Sequence, residues 1–200
     1  MNCHEGNHNH SSDVLRHGFF IGGKKMRTNI VRETTLSGLF IAIGIILPIL
    51  FHPLGQGTTF LPMHIPVLLA GFILSFPFAV TVGIITPILS SVMTGMPPVF
   101  PVLPFMIFEL ATYGLITSLL YRRLKLNVYV SLVGAMICGR IVATAVVWVL
   151  INFFFATLPN PWIYITGAVT AGIPGIVIQL AIIPVLVFAL NRLNYIKRDA

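Results

Sequence analysis

The chain has 200 residues, of which 56% are hydrophobic and 8% charged, and its mean hydropathy is +0.95. Soluble domains carry about 25% charged residues, so this composition excludes a water-facing surface and calls for lipid around most of the chain. A chain of this length spent on membrane segments leaves no room for a soluble catalytic or nucleotide-binding domain. The formal charge of +7 does not mark a nucleic-acid binder, because the basic residues flank the apolar runs instead of forming a face.

Residues 1–33 form a polar tail containing His4, His8, His10 and His17. Such a tract is either a disordered extension or a transition-metal binder, and the first is expected here. Met26 opens a segment, MRTNIVRETTLSG, that reads as a natural start. No apolar core of a cleavable signal is visible ahead of the first apolar run, which is expected to act as an uncleaved signal anchor. Cys3 and Cys138 fit neither a disulfide nor a zinc spacing.

The first apolar run, 34–54, is long enough to cross a bilayer, with Pro48 in its outer half. The loop HPLGQGTT follows. Residues 60–92 are then apolar throughout, too long for one comfortable helix, and SFPF offers a break at Pro77, which disfavours helix at Phe76. Topology makes that break necessary. The basic N-terminal segment and YRRLK at 121–125 both belong on the cytoplasmic side, so an even number of crossings must separate them. Two short helices, at about 62–75 and 78–92, satisfy this. The uncharged, proline-dense TGMPPVFPVLP forms the next outer loop, and its Met96, Val99, Phe100 and Leu103 can fold over a cavity. Helices at about 105–124, 127–155 and 162–190 complete the count, joined on the outside by ATLPNP.

The predicted fold is therefore an all-α integral membrane bundle of six transmembrane helices with both termini cytoplasmic. Residues 34–193 form the membrane domain, and 194–200 a basic cytoplasmic tail.

Two charged residues lie deep in the apolar spans, Glu109 and Arg140. Each costs on the order of 2.5–3.5 kcal/mol at a helix centre. Their depths above the cytoplasmic helix ends come to roughly 22 and 20 Å, so they can pair. One reading has the pair fixing the fourth helix against the fifth. The other has one or both reaching a ligand, with Arg140 able to fork onto a carboxylate.

Polar and aromatic side chains gather around these charges. The fifth helix carries Arg140, Thr144, Trp148 and Asn152 at steps of four, and the fourth carries Glu109, Thr112 and Tyr113 on one face. The sixth adds Thr166, Thr170 and Gln179. A lining on three helices suggests a small-molecule pocket, and interhelical hydrogen bonding accounts for the threonines equally well. His52 and His64 flank the first outer loop; a metal there is the lesser expectation beside a solvated or ligand-bonded imidazole. Trp162 and Tyr164 suit an interfacial aromatic belt, and Phe60 and Trp162 can also stack on a flat ring. No catalytic set, zinc motif or P-loop is present. No enzyme activity, cofactor or metal is expected, and any ATP coupling must come from another chain.

The segments SGLFIAIGIILPILFH, FLPMHIPVLLAGFIL, LSSVMTGMPPVFP, IFELATYGL and GRIVATAVV, in this order, resemble the substrate-binding S components of energy-coupling factor (ECF) transporters. The resemblance spans about 34–191. It implies a bundle of the bacterial cytoplasmic membrane that binds a vitamin or precursor near its outer face. It also implies docking on a transmembrane coupling subunit driven by two ATPase subunits. By the same resemblance the loops at 55–61 and 94–104, with Phe60, Met96 and Phe100, gate the site. Gly38-x-x-x-Ala42 stands where the family has a small-residue docking face; glycine replaces alanine at its first position. FLPMHIPVLLAGF with TGMPP is most similar to the pantothenate-type branch, beside pyridoxine, folate and hydroxymethylpyrimidine branches. Arg140 would suit the pantothenate carboxylate if Glu109 does not neutralise it, and a neutral ligand is favoured if they pair. The alternative outside this family is a stand-alone secondary transporter or channel for a small metabolite.

Overall fold

The computed structural model describes residues 30–50, 62–154 and 161–192. Among these it is all-helical: α1 (Ile30–Leu50), α2 (His64–Ile73), α3 (Phe76–Thr94), α4 (Val102–Ser118, continued by a π-helical turn, Leu119–Arg123), α5 (Val128–Phe154) and α6 (Pro161–Arg192). Five of the six contain apolar stretches long enough to cross a membrane. The exception is α2, whose 10 residues span about 15 Å, half of a hydrocarbon core.

The long apolar run does split in two. The break falls at Leu74 and Ser75, both with extended ψ values of 156° and 155°. It lies just ahead of Pro77 because proline fits the first turn of a helix, where its missing N–H leaves no bond unmade; Pro77 therefore opens α3. Side-chain neighbours show that the chain reverses there. Along α2, Gly71 lies against Thr117 and Leu74 accepts from Ser118, while His64 lies by Glu109, so α2 runs parallel to α4. Along α3, Ala79 lies at Gly114 and Gly83 at Leu110, the opposite sense. Similarly, Glu109 faces Arg140 while Leu120 faces Gly134, which makes α4 and α5 antiparallel.

The first helix starts at Ile30, four residues before the start of the apolar run. Thr34 and Thr35 return their hydroxyls to the carbonyls of Ile30 and Val31, so these polar residues are helical without needing partners elsewhere.

With lipid outside, helices gain nothing from hiding apolar surface and associate through close packing. The α3–α4 contact shows how. A Cβ at Gly83 would stand 2.5 Å from the Leu110 carbonyl oxygen, and one at Gly114 would collide with Ala79 backbone. The principal core gathers Val67, Leu68, Phe72, Leu110, Leu132 and Ile183. A smaller one, Phe105 with Val147 and Leu150, closes α4 against α5 near the Met96 end.

The opposite end is tied through the π turn. It turns both Tyr121 and Arg122 into the bundle. Arg122 Nη1 donates to the Ile73 carbonyl at 3.2 Å, and Ser118 Oγ to the Leu74 carbonyl at 3.2 Å. These bonds satisfy carbonyls that the end of α2 leaves open. Tyr121 packs edge-on to Phe72 and accepts a hydrogen bond of 3.0 Å from Asn191 Nδ2.

Candidate functional site

Glu109 and Tyr113 are four residues apart on α4 and leave the same face. Tyr113 Oη donates to Glu109 Oε1 at 2.6 Å. The antiparallel α5 brings Gly139 opposite the tyrosine ring, where a Cβ would strike it. The missing side chain thus makes room for the ring, and Arg140, next along, reaches the carboxylate. Its Nη1 lies 3.0 Å from Glu109 Oε1.

From the first turn of α2, His64 Nε2 approaches the same oxygen at 3.6 Å, with its ring 5.4 Å from that of Tyr113. That distance is electrostatic contact, longer than a hydrogen bond. Three helices thereby converge on one carboxylate whose side chain is 2% exposed. A phenol and a guanidinium at hydrogen-bonding distance offset the cost of burying it.

Gln179 stands at the same level. Tyr121 and Asn191 are bonded to each other, and twelve residues back from each, at 1.5 Å per residue, Glu109 and Gln179 both lie roughly 18 Å toward the Met96 end. Gln179 is 1% exposed and its Nε2 has no hydrogen-bond partner. Neither ring nitrogen of His64, itself buried, has one either. Buried polar side chains are rarely left without a partner, so the open atoms of His64 and Gln179 are the ones a bound polar group would satisfy.

The remaining expected residues divide. Thr144 Oγ1 donates to the Arg140 carbonyl of its own helix at 2.7 Å. Trp148 and Asn152 are exposed, and Asn152 Nδ2 donates to the Trp148 carbonyl. They part from the cluster because their stripe stands one residue, about 100°, round the helix from the buried one, which follows Ala135, Gly139, Ala143, Val147 and Leu150. Met96 and Phe100 are exposed on the segment between α3 and α4. Phe60, His52, residues 1–29 and 193–200 and the Trp162 side chain lie outside the described residues. Among the described residues no group of three or more metal-ligating side chains occurs. On α1, Gly38 and Ala42 are exposed.

Several contributors were not foreseen. Gly139 gives a weak signal in sequence, a glycine beside an intramembrane arginine. Ser90 and Ser91 tie the following segment back onto α3, donating to the carbonyls of Met96 and Pro97 at 2.8 and 2.7 Å; a hydroxyl pair before a proline-rich loop is their signal. Arg122 reads in sequence only as a flanking charge.

No curated protein and no solved structure matches the chain. A family model does: the one described as ECF transporter, substrate-specific component, matches residues 29–187. Members of this family are transport subunits, not enzymes, each serving a small-molecule substrate together with an ECF module that carries the ATPases. With most of its length matched and five helices able to span a bilayer, the chain is a multi-pass membrane protein that belongs to the substrate-specific components of ECF transporters.

Proposed function

We propose that this chain captures a vitamin or vitamin precursor from outside the cell at the His64–Glu109–Tyr113–Arg140 cluster and hands it to an ATP-driven coupling module. The carrying observation is the cluster itself. Four polar side chains from three helices converge in a lipid-embedded bundle, and His64 and Gln179 keep buried polar atoms unpartnered. Packing alone would not reward that arrangement. Thr144 and Trp162 extend the binding region toward the outer face, where Phe60, Met96 and Phe100 gate it, while the exposed Trp148 and Asn152 stand outside it. Gly38 and Ala42 meet the coupling subunit, which two ATPase subunits drive. In this reading residues 34–193 are the substrate-binding domain of a bacterial cytoplasmic-membrane protein, with the tails 1–33 and 194–200 and both termini inside.

Pantothenate heads the ligand panel by resemblance of sequence. Its carboxylate would need Arg140, and that guanidinium already meets Glu109 at 3.0 Å.

The test is mass spectrometry of small molecules copurifying with the full chain, followed by thermal shifts with a vitamin panel. A true ligand at a hundredfold excess over Kd stabilises by about 2.7 kcal/mol, readily visible as a raised melting temperature. Uptake should require the coupling module. No copurifying ligand and no shift, or uptake by this chain alone on an ion gradient, would overturn the proposal.

A further inference from the structure

The charges of the cluster constrain what it can hold. Glu109 and Arg140 carry one charge each, lie 3.0 Å apart, and are 2% and 14% exposed. Together they sum to zero. A ligand anion that took Arg140 would strand the Glu109 carboxylate in the bundle, and a ligand cation that took Glu109 would strand the guanidinium. Breaking a buried pair from one side is penalised by factors of about a hundred or more in an equilibrium constant. The open positions are of another kind. Gln179 Nε2 is a donor lacking an acceptor, and His64 Nδ1 is a donor or acceptor, according to tautomer, that also lacks a partner.

We infer that the site selects a ligand that is uncharged where it meets the cluster, recognised by hydrogen bonds to Gln179 and His64 and not by pairing with Arg140. This rests on the reading of the cluster as the capture site. The matching class is a neutral molecule bearing a hydroxyl, carbonyl or ring nitrogen to offer these side chains. An acceptor of this kind satisfies the Gln179 amide, and a hydroxyl satisfies either form of His64. Glu109, Arg140 and Tyr113 then serve as the rigid wall that positions His64, since the imidazole rests against both the carboxylate and the tyrosine ring.

The experiment titrates the full chain in detergent with pairs of compounds that differ mainly in one charge: pantothenate against pantothenol, nicotinate against nicotinamide, and biotin against biotinamide. The neutral member of a binding pair should bind at least tenfold more tightly. Gln179→Leu should weaken that binding about tenfold while leaving the melting temperature of the ligand-free protein unchanged or raised, because it removes an orphan polar group and keeps the volume. Tighter binding of the charged member, with the preference lost in Arg140→Gln, would overturn the inference and leave vitamin capture standing. So would a Gln179→Leu variant that melts lower without ligand yet binds with unchanged affinity. A ligand found only in a wider vitamin panel is scored by its own charge in the same way. Failure of every compound in that panel would remove vitamin capture itself, and this inference with it.

Discussion

At the scale of single residues, the cost of charge in a membrane pointed to the Glu109–Arg140 pair. Glu109 and Arg140 stand out in the sequence because neither is tolerable in lipid alone, and the structure brings them to 3.0 Å. Their partners were less legible. Tyr113 follows from its i+4 spacing, whereas His64 arrives from a helix 45 residues away in sequence, and no local pattern announces that contact. The pair makes a prediction about stability. Arg140→Ala should leave Glu109 buried without its cation and destabilise by about 3–5 kcal/mol, and Glu109→Ala should do likewise to Arg140. The double variant should lie closer to wild type than the sum of the two, with a coupling of about 0.5–3 kcal/mol. Melting of the four proteins in one detergent measures this. Strict additivity would mean that the two side chains do not act as a pair.

At the scale of elements, the segment between α3 and α4 is held by its base. Ser90 and Ser91 anchor Met96 and Pro97, Thr94 Oγ1 donates to the Ser90 carbonyl, and Gly95 supplies the left-handed φ of 72° that ends α3. The apolar side chains beyond, Val99 and Phe100, remain exposed. If this segment gates the site, its anchors set how long the ligand stays. Replacing both serines by alanine removes two hydrogen bonds of about 1 kcal/mol each, and ligand dissociation should accelerate about tenfold with little change in association. Stopped-flow release of a bound vitamin measures it; an unchanged off-rate would free the segment from any gating role. Helix number and order were readable beforehand because apolar length and basic flanks are strong, local signals. Charge parity even forced the α2–α3 reversal. Its position moved to Leu74 because proline begins a helix as readily as it ends one. The face of α5 was misjudged beyond Thr144 because small apolar residues one position earlier, Gly139, Ala143 and Val147, take the buried side, and the π turn of α4 left no trace in composition.

At the scale of the whole molecule, the proposed function assigns two tasks to different helices. Capture would fall to α2, α4, α5 and α6, which carry the polar cluster and Gln179, whereas α1 is the least buried of the five long apolar helices. Leu39 and Ile46 lie exposed beside Gly38 and Ala42 on α1, and a Cβ at Gly38 would meet nothing within 4 Å. A stripe of small residues open to the outside lets another helix approach closely, which is what docking on a coupling subunit requires. The separation can be tested by one substitution. In Gly38→Leu the isolated bundle has space for the new side chain, and the better helix former should leave stability unchanged or raise it by up to about 1 kcal/mol. Ligand affinity should not change, because the cluster lies on other helices. The leucine would stand where the partner helix must come close, so assembly with the coupling module should fall and ATP-driven uptake should drop at least tenfold. Pull-down of the complex and vesicle uptake, measured beside ligand titration on the isolated chain, distinguish the outcomes. Normal uptake would move docking to another face, whereas loss of ligand binding would show that α1 takes part in capture.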